Sequence, residues 1–197
     1  MWDCDDDIPE VCMEAVKSLE RAGCSIVPID FPAAERAIEM RDRGGTAASD
    51  LLRFLRSELP EWLDNLDPIV TECVKIDGDI SALEIASRVQ EIQKQRTEAQ
   101  EIFKEYDVIA APTLAMSPLV VDNVNSGNEY LPADLRILRN TSVGSYLDLC
   151  AIPVPVGLDR FDMPVGLMLM APAGMEHRIL AIGQRLESIV PAPQLGV

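Results

Sequence analysis

The chain has a single histidine, His177, so any classical serine or cysteine nucleophile would have to use it as a base. His177 follows a turn at Gly174 and opens a stretch of helical apolar periodicity, which is typical of an exposed first helical turn. Ser145 and Cys150 are nucleophile candidates, but no Gly-x-Ser-x-Gly elbow is present. We therefore predict that His177 belongs to a surface helix and that these residues form no complete catalytic set.

The acidic N-terminus could hold a metal ion, because its aspartates alternate and Glu14 falls where a calcium loop places its bidentate ligand. The sixth position of such a loop requires glycine for its sharp turn, and Ile8 stands there. The same residues fit a helix start better, with Asp7 as N-cap, Pro9 in the first turn and Glu10 closing a capping box. We expect no metal and no other cofactor.

Composition excludes several classes of partner. The 197 residues include 33 acidic and 17 basic ones, a net charge of -16, which disfavours nucleic acids and anionic membranes. No apolar run approaches the roughly 20 residues that cross a bilayer. The five cysteines are odd in number and include no Cys-x-x-Cys pair, so we expect reduced thiols and a cytoplasmic location.

Hydrophobic periodicity predicts helices that flank a small set of strands, an α/β layer arrangement. The predicted strands are 24–30, 107–112, 151–157 and 163–172, and the predicted helices occupy the opening stretch to Gly23, the span 32–77 with breaks at Gly44–Gly45 and Pro60, 81–106, 135–150 and 177–190. Residues 1–106 are thus a mostly helical segment with one early strand, and residues 107–197 an α/β segment.

Some side-chain environments can also be predicted. Trp62 and Leu180 are expected to pack inward, the first near a helix break and the second in the last helix. Arg96 and the other charged residues of the long helix are expected to form a solvated face. The segment from 113 to about Pro132, rich in proline, asparagine, serine and glycine, is expected to be a loop.

Three segments resemble, in order and spacing, the C-terminal part of the amidase signature family, which includes amidases, allophanate hydrolase-like enzymes and one of the subunits of tRNA-dependent amidotransferases. They are DVIAAPTLAMSP, RNTSVGSYLDLCAIPVPVG and MPVGLMLMAPAGMEHRILAIGQRLE. The opening PEVCMEAVKSLERAGCSIVPIDFP is similar to the segment that follows the catalytic core in that family. The resemblance implies the C-terminal part of the amidase signature fold, a mixed sheet flanked by helices.

The resemblance also implies a chemistry: hydrolysis of a carboxamide or related C–N bond by a serine nucleophile, a second serine with a cis peptide, and a lysine. The nucleophile of that family lies beside a glycine- and serine-rich loop that can hold an oxyanion. No position of this sequence matches those three residues, so we assign no catalytic residue. We expect a pocket-completing portion of one amidase domain, inactive alone, whose N-terminal catalytic half is absent.

Four residues match regions that face the substrate pocket in the family: Thr113, Asn140, Thr141 and Tyr146. Thr113 and Asn140 could hydrogen-bond a substrate amide. A structural role is the alternative for both, with Thr113 capping a turn and Asn140 capping the helix that starts near Thr141.

Two other functions stay open. The chain could be a stand-alone, non-catalytic binding or regulatory module with a pocket near Thr113 and Tyr146. It could also be an independent enzyme built on Cys150 or Ser145. The expected partners are a small amide substrate and the N-terminal half, with self-association through exposed strand edges when that half is lacking.

Overall fold

The computed structural model describes residues 3–5, 7–71, 74, 80–124, 127–190 and 192–193. Its helices are α1 (Ile8–Arg21), α2 (Pro32–Asp42), α3 (Ala47–Glu58), α4 (Ala82–Ile102), α5 (Gly127–Ile137), α6 (Arg139–Leu147) and α7 (Glu176–Ile189). Its strands are β1 (Ile109–Pro112), β2 (Leu149–Leu158) and β3 (Pro164–Pro172), and short 3-10 helices occupy Pro60–Asn65 and Val121–Asn123. The predicted fold class, an α/β arrangement with helices around a small sheet, is confirmed.

The three strands form one sheet in the order β1-β3-β2, so β3 is the central strand. Leu169 of β3 lies opposite Ala110 of β1 on one side and Ile152 of β2 on the other. Both ladders are antiparallel, so the mixed character implied by the resemblance is not seen among these three strands. β2 carries Pro153 and Pro155, which suits an edge of the described sheet because proline cannot donate to a ladder.

The sheet is buried by a helix layer on each face. Residues of β2 and β3 pack on one face against α1 and α7, and the buried members are Val154, Val156, Val165, Leu167, Leu169 and Ala171. Residues of β1 and β3 pack on the other face against α2, α4 and α6, and the buried members are Ile109, Ala111, Met168 and Met170. Burial on both faces explains why the middle of β3 is a continuous apolar run rather than an alternating one.

The predicted strand at 24–30 is wrong for the described residues. This segment is extended but pairs with no strand there, and residues 24–28 are exposed. A strand needs a neighbour for its backbone groups, and local sequence cannot say whether one is present. Gly23, at φ +96°, does end the preceding helix as predicted, because that conformation favours glycine.

The capping box predicted at the start of α1 is not formed. Asp7 occupies the N-cap position, but its side chain makes no capping hydrogen bond, and its backbone is helical at φ -89° and ψ -6°. The predicted loop up to Pro132 is also partly wrong, because α5 begins at Gly127 and contains that proline.

Three predicted environments also differ. Trp62 is 55% exposed and Leu180 is 56% exposed, so neither packs inward. Arg96 is half-buried, and its Nε donates to the carbonyl oxygen of Tyr146 at 2.9 Å. Periodicity alone assigned these side chains to a face, but the neighbours that cover each face come from distant parts of the chain.

Two further observations concern the described residues only. None of the helices there combines the length and the hydrophobicity that crossing a bilayer requires. Cys4, Cys12, Cys24 and Cys150 are not in disulfide bonds, whereas Cys73 lies outside the described residues.

Candidate substrate-binding site

A cavity of about 250 Å³ opens where β1 ends and β3 begins. Its walls come from the loop after β1, from the exposed prolines of β2 and from the first residues of β3. Four of its lining residues are prolines: Pro118, Pro153, Pro155 and Pro164. Leu114, Met116 and Val165 add aliphatic surface, so the cavity is mainly apolar with few polar groups. Small-molecule sites commonly have this composition.

Thr113 and Gly166 meet in the lining of this cavity. The Thr113 N–H donates to the carbonyl oxygen of Gly166 at 2.8 Å, which extends the β1–β3 pairing by one residue. A Cβ at position 166 would lie 2.8 Å from Thr113 Oγ1. Glycine at this position therefore leaves space for the Thr113 hydroxyl next to the backbone of β3. Thr113 Oγ1 is buried and has no hydrogen-bond partner among the described residues.

Asp159 joins the β2–β3 turn to the loop after β1. Its Oδ1 accepts from the backbone N–H groups of Phe161 at 2.8 Å and Met163 at 2.9 Å, and its Oδ2 accepts from Ser117 Oγ at 2.5 Å. Burial alone would raise the pKa of Asp159, but these hydrogen bonds outweigh it and hold the pKa below its usual range. An ionised carboxylate therefore fixes the two walls relative to each other.

Asn140 of α6 is bonded to the same end of the sheet. It is fully buried, and its Nδ2 donates to the carbonyl oxygen of Pro112 at 2.9 Å. That bond attaches α6 to the last residue of β1, directly before Thr113. Asn140 lies inside α6 rather than at its N-cap, which is Leu138, so the alternative capping role is wrong.

Thr141 and Tyr146 have other neighbours. Thr141 is half-buried, and its hydroxyl donates back to the carbonyl oxygen of Leu138 at 3.2 Å. The Tyr146 hydroxyl lies against Gly45 and bonds the backbone N–H of Thr46, between α2 and α3. Burial raises the pKa of Tyr146 although that N–H opposes the shift. The structure thus brings Thr113 and Asn140 together through Pro112, and places Tyr146 among the helices.

The nucleophile candidates lie on separate elements. Ser145 is exposed on α6, and His177 is exposed at the start of α7. The Cys150 thiol donates to the carbonyl oxygens of Ala171 and Pro172, at 3.5 and 3.3 Å. No hydrogen bond joins any two of these three residues in the part of the chain that the structure describes.

The acidic N-terminus is occupied by ion pairs. Asp3 pairs with Arg139 at 3.0 Å, and Asp5 pairs with Arg136. Among the described residues, no group of three or more histidine, cysteine, aspartate or glutamate side chains could hold a metal ion. Burial raises the pKa of the nearby Cys12 thiol to about 12, so at neutral pH it stays protonated and unreactive.

Sequence reasoning missed Ser117, Asp159 and Gly166. Asp159 had a readable signal, because it opens a short polar turn between two apolar runs, where aspartate commonly bonds the backbone two residues on. Gly166 had a weaker one, since an isolated glycine in a strand often marks a close approach. Ser117 had none, because its partner lies 42 residues away.

Comparison with known proteins gives the family. The family model described as Amidase matches residues 1–180, and the chain therefore belongs to the amidase family. The chain is 34% identical over 190 residues to 2-amino-5-chloromuconic acid deaminase of Comamonas testosteroni, covering 96% of this chain and 41% of that protein. It is 26% identical over 211 residues to indoleacetamide hydrolase of Agrobacterium vitis, covering 95% of this chain and 44% of that protein.

A solved structure of allophanate hydrolase from Kluyveromyces lactis superposes with a TM-score of 0.82 at 21% identity, covering all of this chain and 32% of that one. This similarity supports the fold, and the α/β segment and the helices before it superpose together. The chain spans about two fifths of the length of the two curated relatives named above. Membership of the amidase family, suggested by the three quoted segments, is thus confirmed.

Proposed function

We propose that these 197 residues form the pocket-completing wall of an amidase that hydrolyses a small carboxamide or related C–N bond. The bond-breaking groups, a serine nucleophile with a second serine and a lysine, would come from polypeptide outside these residues. The observation that carries the proposal is the open cavity at Thr113 in an amidase-family chain whose own nucleophile candidates lie apart from it.

The four residues predicted for substrate binding take different parts in this proposal. Thr113 contacts the substrate, and Asn140 holds Thr113 in position through the carbonyl oxygen of Pro112. Thr141 and Tyr146 remain predicted pocket residues, although their side chains bond the backbone of Leu138 and Thr46. Single alanine substitutions in an active complex would separate these parts, with the largest rise in KM expected for Thr113.

Complementation tests the proposal. A version of the Comamonas testosteroni relative lacking its 190 matching residues would be co-expressed with this chain, and ammonia release from small carboxamides would be measured. We expect the pair to turn over amide when neither part does alone. The relative's own matching segment, supplied as a separate chain, is the positive control. Activity with that segment and none with this chain would contradict the proposal.

We propose one contact surface for the remaining polypeptide, the extended segment 24–30. Ile26 and Val27 are 38% and 50% exposed there, and the segment has no strand partner among the described residues. An exposed apolar strand is a template for pairing with another chain. We therefore expect this chain alone to self-associate, and sedimentation velocity showing only monomer at high concentration would count against the proposal.

A binding or regulatory module is the second candidate, because the cavity is already formed by these residues alone. That function predicts tight ligand binding without turnover in any complemented pair. The complementation experiment separates the two candidates, since a regulatory module would copurify with the truncated relative and leave it inactive.

A further inference from the structure

We infer that the cavity at Thr113 binds the uncharged, apolar acyl part of an amide and discriminates against carboxylate-bearing ligands. The inference rests on the proposed function, because it names the substrate class for that site. It would distinguish this chain from its relative in Comamonas testosteroni, whose name gives a muconic acid as the compound acted on.

The described residues of the cavity lining offer no positive charge to a ligand. No lysine or arginine is among the described residues that line the cavity, and the one ionisable side chain there is Asp159. Asp159 is 6% exposed and ionised at neutral pH, because its hydrogen bonds lower its pKa. Arg160, next in sequence, interacts with Asp159 but is not part of the lining. A carboxylate bound beside Asp159 would therefore lose hydration and gain no cationic partner from the lining, so its affinity should be low.

A cationic ligand is also disfavoured, although Asp159 is negative. Both of its carboxylate oxygens already accept hydrogen bonds, Oδ1 from Phe161 and Met163 and Oδ2 from Ser117. These three bonds hold the β2–β3 turn against the loop after β1 and take three of the roughly four acceptor sites of the carboxylate. Because Asp159 is also 6% exposed, an ammonium group would have little access to it. The carboxylate therefore has a structural role in the cavity wall, and the remaining lining suits a neutral ligand.

The size and rigidity of the cavity define the ligand further. About 250 Å³ is below the range of roughly 300–1,000 Å³ typical of drug-sized ligands, while an apolar cavity of about 150 Å³ can hold benzene. One aromatic ring or a branched chain of similar size would fit. Four of the lining residues are prolines, whose fixed backbone φ limits the ordering that binding requires.

Thr113 supplies the polar contact. Its hydroxyl has no partner among the described residues, and it lies beside Gly166 in the lining of the cavity. Rotation to another staggered rotamer moves the hydroxyl into the position that the methyl group or the Cβ hydrogen now occupies. In that rotamer the hydroxyl could donate to the carbonyl oxygen of a bound amide. The hydroxyl would then have a hydrogen-bond partner, which it lacks among the described residues.

Nuclear magnetic resonance titration of the isotopically labelled chain tests this inference. The probes are benzamide, benzoate and benzylamine, which share one ring and differ in charge. We expect benzamide to shift the backbone amide signals of Thr113 and Gly166, with benzoate and benzylamine binding at least about tenfold more weakly, a difference of about 1.4 kcal/mol. Equal or tighter binding of either charged probe, or no shift with benzamide, would overturn the inference.

Three variants sharpen the test. Pro118→Lys places a cation at the exposed rim and should raise benzoate affinity several-fold, whereas Leu180→Lys adds the same charge on the outer face of α7 and should not. Thr113→Val keeps the shape and should weaken benzamide about two- to tenfold through the lost hydrogen bond. Identical effects of the two lysine variants would refute the charge argument.

The binding and complementation experiments fail separately. Selective benzamide binding without complementation would refute the enzyme assignment and leave the ligand class standing. Complementation without a preference for neutral amides would refute only the ligand class.

Discussion

The two ends of β3 differ in how the fold uses them. From Leu167 to Ala171 every residue is at most 3% exposed, because helices cover both faces of the sheet. At the start of the same strand Pro164 is exposed and Gly166 half-buried, and both line the cavity. One strand is therefore core at one end and binding wall at the other. The difference lies in one helix layer: Val165 still packs with α1 and α7, whereas the core formed with α2, α4 and α6 includes Met168 and Met170 but no residue before them in β3.

In the neighbouring strand β2, buried and exposed residues alternate. Val154 is fully buried, whereas Pro153 and Pro155 on either side of it are exposed and line the cavity. Prolines give this wall a fixed backbone without N–H donors. A rigid apolar wall loses little conformational entropy on binding, so the open end is suited to a ligand even though it adds little to the core.

The largest effect should come from the closed end. Leu169→Ala removes a side chain that is 1% exposed and should lower the free energy of unfolding by about 2–5 kcal/mol. Met163→Ala, at a side chain 40% exposed beside the open end, should cost less than about 1 kcal/mol. Urea denaturation measures both, and similar losses would remove the distinction between the two ends.

Substitution of two glycines, one in the packed interior and one beside the cavity, compares the space available at each. Gly45 has φ +50°, and a Cβ there would lie 1.7 Å from the Tyr146 hydroxyl oxygen. Gly45→Ala should therefore cost about 2–4 kcal/mol from strain and overpacking. Gly166→Ala meets Thr113 Oγ1 at 2.8 Å, but that small side chain borders a cavity and can rotate, so we expect less than about 1 kcal/mol.

Tyr146→Phe serves as a control for the first glycine. Removing the hydroxyl should relieve part of the clash in Gly45→Ala, so the double variant should be more stable than the sum of the single effects predicts. Thermal or urea unfolding of the four proteins gives the coupling energy. Strict additivity would show that backbone strain alone accounts for the cost.

A smaller effect is expected at Asp159, which connects the walls of the open end. Asp159→Asn should lower the free energy of unfolding at pH 7 by about 1–2 kcal/mol, since the amide has no negative charge and replaces one acceptor oxygen by an NH₂ donor. The folded-state pKa of Asp159 lies below the unfolded value of about 3.9, so its contribution is complete above that value. The difference from the native chain should then shrink as pH falls through the folded-state pKa.

Urea unfolding of both proteins between pH 7 and pH 3 checks the sign. A difference that grows on acidification would mean that protonation of Asp159 stabilises the fold, contrary to its hydrogen bonds with Ser117, Phe161 and Met163.

The elements of the sheet were largely readable from sequence because their patterns are local. The apolar run around Leu167 predicted a strand, and Gly23 predicted a helix end; both are present. The segment 24–30 has strand composition and no neighbour among the described residues, which local pattern cannot detect. Trp62 fails for a related reason, since its exposure depends on what the rest of the fold leaves uncovered.

The candidate site was predictable only in part. Thr113 and Asn140 came from the family resemblance, and the structure joins them through the Pro112 carbonyl. Asp159 and Ser117 are 42 residues apart in sequence and meet only when the fold brings the β2–β3 turn next to the loop after β1. Pairing of that kind depends on tertiary geometry and leaves no short-range pattern.

The most direct test of the central claim is amide turnover by the purified chain alone. Our account places the wall in these residues and the bond-breaking groups elsewhere, so ammonia release from small carboxamides such as benzamide should not exceed that of buffer. Turnover by this chain that Ser145→Ala or Cys150→Ala abolishes would contradict the account, because it would show a complete catalytic set within these 197 residues.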